Sequence, residues 1–134
     1  MERRAVSGII LTLLLVNMLA WAFNIQPTKA EPRTITVPDD YPTIQEAINN
    51  ANEGDTIFVR NGTYYENVVV NKTVSLVGEN RSTTIIDANY TGSVVAVVSD
   101  SVAVASFTMR NSGNAWDGLW FGSGIRILAS NCNI

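Results

Sequence analysis

The sequence has no histidine and a single cysteine, and these scarcities restrict the chemistry that the chain can carry. Without an imidazole no histidine can activate a nucleophile, and Cys132 has no partner for a disulfide within the chain. We therefore expect Cys132 to pack as a small side chain. Beyond residue 30 the only methionine is Met109, so soft metal ligands are almost absent as well. We expect no metal site and no cofactor.

Basic charge is also scarce. The chain has nine Lys and Arg residues against twelve Asp and Glu residues. Three of the basic residues and one of the acidic residues precede residue 31, which leaves six against eleven in the remainder. The six are scattered, and no basic patch that could follow a phosphate backbone is visible. Nucleic acid is therefore not an expected partner, and nothing in the sequence indicates an oligomeric state.

The first thirty residues have the order of a leader. Arg3 and Arg4 precede an apolar run at residues 5–23, and a polar stretch follows to Ala30. This order is typical of a secretory signal peptide cleaved near Ala30, but the run is also just long enough to span a bilayer. A cleaved signal and an uncleaved membrane anchor both remain open. Either one predicts that residues 31–134 form an exported domain, extracellular or at the cell surface.

One short amphipathic helix is predicted early in this domain. Thr43 and Glu46 have the spacing of a capping box, in which the Thr43 side chain accepts from the Glu46 N–H. Apolar residues then recur on one helical face, at Ile44, Ala47, Ile48 and Ala51. Gly54 is predicted to end the helix as its C′ residue. A short helix with one apolar stripe, followed only by strands, is expected to cover the open end of a stack of strands.

Short runs rich in Val and Ile follow, separated by Asn, Asp, Gly and Ser. Windows that begin at Thr73, Ser101 and Gly124 share a β-branched alternation and a turn that ends in Asn. Val74 and Val102 are 28 residues apart, and Val102 and Ile125 are 23 apart, which suits one rung per repeat of a parallel β-solenoid. A β-sandwich is the alternative. Because the last repeat ends at Asn133 and Ile134, we expect residues 31–134 to be the N-terminal part of a longer β-helix domain.

The stretch VPDDYPTIQEAINNANEGDTIFVRNGTYYENVVVNKTVSLVGENRSTTIID, residues 37–87, resembles the start of proteins with the pectin-lyase-like fold. Pectin methylesterases begin similarly, with a T-I-Q-E-A helix and a G-x-Y-x-E-N turn. The windows SVAVASFTMRNSG and SGIRILASNCNI resemble repeats of the carbohydrate-binding and sugar-hydrolase family of NosD type. The resemblance implies an all-β, right-handed parallel β-helix with a short N-terminal capping α-helix.

The same resemblance bears on catalysis. It implies a Gln near residues 123–125 and two Asp residues on later rungs for an esterase, and no Gln lies at residues 123–125. We therefore predict no catalytic residue in this chain. A pectinesterase-like or polysaccharide-lyase-like enzyme with catalytic residues beyond Ile134 is the alternative function. Asp87, Asp100 and Asp117 lie near strand ends and are predicted to be solvated turn caps. Maturation of a periplasmic metalloenzyme, which the NosD-type resemblance also implies, is weakened by the missing His and Met ligands.

One segment interrupts the repeats with aromatic residues. An aromatic face beside polar side chains can stack on a sugar ring while the polar groups hold its hydroxyls. The sequence therefore predicts polysaccharide as a partner, bound by Asn114, Trp116, Asp117, Trp120 and Phe121. Packing of these aromatics against the flank of the solenoid is the alternative, and a purely structural surface element is the alternative function.

Four N-x-S/T sequons complete the candidate sites. Their acceptors are Asn61, Asn71, Asn80 and Asn89. In an exported glycoprotein these would carry N-linked glycans on surface turns. Chance occurrence in Asn-rich turns is the alternative.

Overall fold

The computed structural model describes residues 28–113 and 122–134, and the chain divides into one unit over Met1–Ala30 and a second over Glu31–Ile134. The predicted leader, apart from its last residues, lies outside the described residues. Within the described ranges no helix is long and apolar enough to cross a membrane. The fold is therefore described for Glu31–Ile134.

Ten short strands and one helix make up the described part of this unit. The helix, α1, spans Ile44–Asn50. The strands are β1 (Thr34–Val37), β2 (Thr56–Val59), β3 (Gly62–Tyr65), β4 (Val68–Val70), β5 (Ser75–Gly78), β6 (Thr84–Asp87), β7 (Val95–Val97), β8 (Ala103–Ala105), β9 (Thr108–Arg110) and β10 (Ile125–Ile127). The predicted composition, all-β with one early helix, is confirmed.

Every pairing between these strands is parallel, and the strands form three sheets. The first sheet has the order β1-β2-β5-β8, the second β3-β6-β9 and the third β4-β7-β10. The chain visits the three sheets in turn, so β2, β3 and β4 form one rung and β5, β6 and β7 form the next. This is a parallel β-helix. The alternative β-sandwich is wrong, because its sheets would be antiparallel.

The core consists of apolar columns that run from rung to rung. In the first sheet Ile35, Ile57, Leu76 and Val104 are successive register partners, and all four are buried. In the third sheet Val68 and Val95 are buried partners. Alternation along each strand sends one side chain inward and the next outward, which is the pattern that the β-branched runs predict.

The spacing predicted for the third repeat is wrong. Val102 and Val74 do occupy equivalent places, since Ala103 pairs with Ser75 28 residues earlier. Ile125, however, pairs with Val95 in the third sheet, and the partner of Ala103 on the following rung is Asn133. The error arose because rungs differ in length and all strands share the same Val-rich and Ile-rich composition.

Helix α1 takes the place that a first-rung strand would occupy beside β4. The side-chain amide of Gln45 accepts from the N–H of Val69 at 2.7 Å and donates to its carbonyl oxygen at 3.1 Å. One amide thus pairs with both backbone groups that β4 presents on its open edge. Since Ile44, Ala47 and Ile48 are buried beneath the helix, the prediction that α1 covers the end of the stack is confirmed.

The helix termini are held by one local cap and by side chains from the following rung. Thr43 accepts from the Glu46 N–H at 3.1 Å, as predicted. The carboxylate of Glu66 accepts from the N–H groups of Ile44 and Gln45, each at 3.0 Å. At the other end, the Lys72 ammonium donates to the carbonyl oxygens of Asn49 and Ala51, at 2.7 and 2.8 Å.

The predicted role of Gly54 is wrong. The helix is capped by Ala51 in an extended conformation, and its last carbonyls bond to side chains rather than to a C′ glycine. Gly54 comes three residues later, with φ of +91°, and its N–H donates to the Thr73 carbonyl oxygen at 2.7 Å. Its positive φ serves the turn into β2.

Candidate functional site

The predicted carbohydrate-binding residues, Asn114, Trp116, Asp117, Trp120 and Phe121, lie outside the described residues. The residues that flank them are described. The Gly113 N–H donates to the Gly92 carbonyl oxygen at 2.8 Å, and a Cβ built on Gly122 would overlap the backbone of Gly113. The three glycines therefore lie against one another, and the close approach excludes larger residues.

These glycines belong to the turns that connect the second sheet to the third. We call the described part of these turns, residues 65–67, 88–94, 111–113 and 122–124, the tyrosine corner. Its turns are stacked by direct bonds: the Asn67 side-chain amide donates to the carbonyl oxygens of Thr91 and Ser93, at 3.2 and 2.8 Å. Since adjacent parallel strands lie about 4.8 Å apart, side chains on successive turns here are neighbours.

Two aromatic side chains at this corner point into solvent. Tyr65, the last residue of β3, is 72% exposed, and Tyr90, in the turn after β6, is 64% exposed. Isolated exposed apolar residues are common, but two large aromatics on successive turns of one corner make a surface suited to stacking. By contrast Tyr64, next to Tyr65, packs against the core, as alternation in a strand requires.

The turn that carries Tyr90 has an unusual backbone. Asn89 and Tyr90 have φ of +48° and +62°, the left-handed region, which costs roughly 1–2 kcal/mol for a residue with a side chain. The conformation is held by two hydrogen bonds: the Asn89 N–H donates to Oδ1 of Asp87 at 2.9 Å, and the Tyr90 N–H donates to the Asn111 carbonyl oxygen at 2.7 Å. An aromatic in such a turn, with packed neighbours fixing its backbone, is a candidate functional position.

Asp87 is the anchor of the corner. It is 3% exposed, and its carboxylate accepts from the Asn89 N–H at 2.9 Å, from Nε of Arg110 at 2.8 Å and from the Asn111 amide at 2.9 and 3.1 Å. The Asn89 N–H and then Arg110 hold the pKa of Asp87 below its ordinary value, against the effect of burial. The carboxylate therefore stays charged and fixes the turn that presents Tyr90.

Tyr65, Asp87 and Arg110 form one column across three rungs, because each is the register partner of the next. The bond to Asp87 raises the pKa of Arg110, and the nearby Tyr65 phenol adds a smaller effect in the same direction. Arg110 is about half exposed, so its guanidinium faces solvent beside Tyr65. The corner thus combines aromatic faces with a fixed cation, which can contact a ligand that has both a flat face and oxygen acceptors.

The other carboxylates have structural positions. Asp55 is buried and accepts from the backbone N–H and Nε of Arg33, at 3.0 and 3.1 Å, and from the Asn52 N–H at 2.8 Å. Burial acts to raise the pKa of Asp55, but these donors together hold it below its ordinary value. Asp100, an exposed residue, accepts from the Ser130 N–H at 2.7 Å and is the predicted turn cap. Asp87 is also a turn anchor, but the prediction that it is solvated is wrong.

No cluster of three or more His, Cys, Asp or Glu side chains exists in the described parts of the chain. Cys132 is half-buried, and its thiol contacts the carbonyl oxygens of Ser99 and Ser130, at 3.7 and 3.5 Å. The four sequon asparagines, Asn61, Asn71, Asn80 and Asn89, are all exposed.

A cavity of about 360 Å³ lies at the last described rung. Its walls include Val104, Phe107, Met109 and Ile125, with Arg81 as the single charged residue. Because a ligand site needs several convergent polar groups, this cavity has the character of core surface rather than of a binding site.

No family model and no curated protein matches this chain. Among solved structures it is similar to a pectin methylesterase in complex with hexasaccharide VII, at 18% identity and a TM-score of 0.52. A mutant pectin methylesterase in complex with hexasaccharide IV gives the same values. Pectin methylesterase PemA from Erwinia chrysanthemi is 17% identical, with a TM-score of 0.53. Each match covers 78% of this chain and 43% of the other, so the chain spans about two fifths of those proteins. The resemblance to the pectin-lyase-like β-helix is confirmed for the fold.

Sequence reasoning did not identify Tyr65 and Tyr90. For Tyr65 a signal existed, since strict alternation places it outward if Tyr64 points inward. Tyr90 lies in a run of Asn, Thr and Gly that is typical of a turn, and turn residues are commonly exposed.

Proposed function

We propose that this chain is a β-helix module that binds polysaccharide at the tyrosine corner. The observation that carries the proposal is the pair of tyrosines, Tyr65 and Tyr90, held in solvent on successive turns by a backbone that Asp87 and Asn111 fix. Because the backbone at these positions is already fixed, little backbone freedom is lost when a sugar ring stacks on the two side chains. Arg110 beside Tyr65 supplies a donor for the hydroxyl or carboxylate oxygens of the ligand.

Solved proteins with the same fold support the polysaccharide as the ligand class, because two of the similar pectin methylesterases are in complex with hexasaccharides. Their identity to this chain is only 18%, so the site is argued from Tyr65 and Tyr90 and not carried over.

The test is retention on insoluble polysaccharide. Tyr65→Ala with Tyr90→Ala should lower retention on pectin, xylan or cellulose beads at least tenfold. The magnitude is taken from nucleic-acid bases, whose stacking on one aromatic side chain contributes about 1–3 kcal/mol. Leu128→Ala removes an equally exposed apolar side chain elsewhere and should retain binding. Equal retention of the double variant and the unsubstituted chain, with both folded by circular dichroism, would show the proposal to be wrong.

The aromatic segment remains part of this proposal. Asn114, Trp116, Asp117, Trp120 and Phe121 are proposed to extend the surface, since Gly113 and Gly122, which flank the segment, lie at the corner. Trp116→Ala with Trp120→Ala should abolish retention and keep the fold. Loss of retention in this variant alone would place the site in the segment rather than at Tyr65 and Tyr90.

Export is proposed from the leader alone, at residues 1–30, with an extracellular or cell-surface location for residues 31–134. Fractionation of cells that express the full chain, followed by N-terminal sequencing, would distinguish a cleaved signal that ends near Ala30 from an uncleaved anchor. Recovery of the unprocessed chain in the cytoplasm would contradict both.

A carbohydrate-active enzyme of pectinesterase or polysaccharide-lyase type is the second candidate. The similarity to pectin methylesterases favours it, and the chain covers only 43% of their length. This candidate places the catalytic residues after Ile134, because the buried carboxylates of Asp55 and Asp87 already accept hydrogen bonds from Arg33 and Arg110 that hold the fold. Methanol release from methyl-esterified pectin by the product of the reading frame continued past Ile134 would support it, and absence of turnover would leave the binding module.

A further inference from the structure

Two of the four sequons differ from the other two in the hydrogen bonding of their third residue. This difference bears on glycosylation, a property separate from the proposed polysaccharide binding. A transferase that modifies N-x-S/T reads the hydroxyl of the third residue as well as the asparagine amide, which is why the motif requires Ser or Thr. In a folded acceptor that hydroxyl must therefore be accessible.

In two sequons the hydroxyl already bonds to a neighbouring rung. Thr73, in the sequon of Asn71, donates to the Asp100 carbonyl oxygen at 2.9 Å. Thr91, in the sequon of Asn89, lies 2.6 Å from the Ala88 carbonyl oxygen and 2.9 Å from Oδ1 of Asn67. These hydroxyls belong to the bonds that stack the turns.

The middle residues of these two sequons are restrained as well. Lys72 donates to two carbonyl oxygens at the end of α1, and the Tyr90 N–H donates to the Asn111 carbonyl oxygen. Gly62, the middle residue of the Asn61 sequon, is bonded in the same way, since its N–H donates to the Thr83 carbonyl oxygen at 2.9 Å. The bonded hydroxyls of Thr73 and Thr91 are therefore what distinguishes the Asn71 and Asn89 sequons, and presenting these hydroxyls to an enzyme would require the turns to open.

The sequons of Asn61 and Asn80 are different. Thr63 and Ser82 are exposed, and among the described residues their hydroxyls make no hydrogen bond. Each asparagine uses only its side-chain oxygen: Oδ1 of Asn61 accepts from the Thr83 hydroxyl at 2.6 Å, and Oδ1 of Asn80 accepts from the Ser82 N–H at 2.9 Å. Both Nδ2 atoms remain available.

These two asparagines also lie at one place on the β-helix. They belong to the turns that connect the first sheet to the second on consecutive rungs, and the Asn61 N–H donates to the Glu79 carboxylate at 2.8 Å. This corner is a different one from the tyrosine corner.

We propose that Asn61 and Asn80 are the acceptors of N-linked glycan in the folded chain and that Asn71 and Asn89 are not. The donor is an oligosaccharide joined through phosphate to a polyprenol lipid. Nδ2 of the asparagine attacks C1 of the first sugar, an N–C bond forms, the C1–O bond to phosphate breaks with the electron pair leaving on phosphate, and the amide loses one proton to a base of the transferase.

The test uses the purified full chain, a purified oligosaccharyltransferase and a polyprenol-linked oligosaccharide. Site occupancy is measured by mass spectrometry after proteolysis. Four synthetic peptides, each carrying one sequon with its neighbours, provide the unfolded reference. All four peptides should be modified, whereas in the folded chain occupancy at Asn71 and Asn89 should fall at least tenfold below that of their peptides.

Asn61→Gln with Asn80→Gln should leave the folded chain unmodified, and Asn71→Gln with Asn89→Gln should leave its glycan count unchanged. Circular dichroism of each variant shows that the fold persists. Occupancy at Asn71 or Asn89 equal to that of the matching peptide would overturn the proposal. So would a folded chain that carries no glycan while its peptides are modified. Neither result depends on polysaccharide binding, which is measured separately by bead retention.

Discussion

The bond between Glu66 and helix α1 gives a sharp test of how the end of the β-helix is closed. Glu66 lies in the turn after β3, and its carboxylate accepts from the N–H groups of Ile44 and Gln45, each at 3.0 Å. Glu66→Ala removes both acceptors at once. Two of the N–H groups that no helical carbonyl can reach are then left to water.

The expected magnitude follows from these two bonds. A capping side chain contributes about 1 kcal/mol, and a hydrogen bond to a charged group about 1.5–3 kcal/mol. Because Glu66 is only half-buried and water can replace it in part, we expect Glu66→Ala to lower the free energy of unfolding by about 2–3 kcal/mol. Glu66→Gln keeps one acceptor without charge and should cost about half as much.

Urea denaturation followed by far-ultraviolet circular dichroism measures the difference, with thermal melting as a second readout. For a domain of this size, a loss of 2–3 kcal/mol corresponds to a fall in Tm of roughly 10–20 °C. Glu53→Ala, in an exposed residue of the loop after α1, is the matched control and should change the free energy by less than about 0.5 kcal/mol. Equal stability of Glu66→Ala and Glu53→Ala would refute the assignment of Glu66 as the cap.

Three further predictions concern the stack itself. Gly78→Ala should lower the free energy of unfolding by about 2 kcal/mol or more, because the added Cβ would overlap the backbone of the next rung. Gly124→Ala places its Cβ in open space and should leave the free energy of unfolding unchanged. Leu76→Ala should cost about 3 kcal/mol through loss of a buried side chain in the first sheet's column, and Val69→Ala, on the outer face of β4, less than about 1 kcal/mol. Since the pKa of Asp55 is lower in the folded chain than its ordinary value of 3.8, the unfolded chain binds more protons at acidic pH. Stability should therefore fall as the pH drops below about 4, and Asp55→Asn should flatten that part of the pH profile of the urea midpoint.

The sequence was sufficient to predict the class of the fold and the position of the helix. Alternation of β-branched residues and the Thr43 cap are local signals, and local signals survive in a solenoid because each rung contacts only its neighbours. The register in which the strands pair was harder to predict. Thr56 pairs with Ser75, Ser75 with Ala103, and Ala103 with Asn133, so successive steps are 19, 28 and 30 residues. A repeat search that assumes one period fails when the turns vary this much.

The candidate site could be predicted only in part, for a related reason. The anchors of the tyrosine corner, Asp87 and Arg110, are 23 residues apart, and the cap of α1 comes from 22 residues away. No local spacing rule connects such pairs. The exposure of Tyr90 depends on a left-handed turn that Asn111 holds from the next rung, which the residues around Tyr90 do not indicate.

The measurement that tests the functional account most directly is a residue-resolved titration. Amide chemical shifts of the isotope-labelled chain would be followed by nuclear magnetic resonance in separate titrations with hexasaccharides derived from pectin, xylan and cellulose. The account predicts saturable shifts at the tyrosine corner, residues 65–67, 88–94, 111–113 and 122–124, and none at residues 47–50 of helix α1, whose N–H groups do not bond to Glu66. Shifts confined to helix α1 or to the turns at Asn61 and Asn80, or no shifts with the hexasaccharide from pectin, xylan or cellulose, would contradict binding at the tyrosine corner.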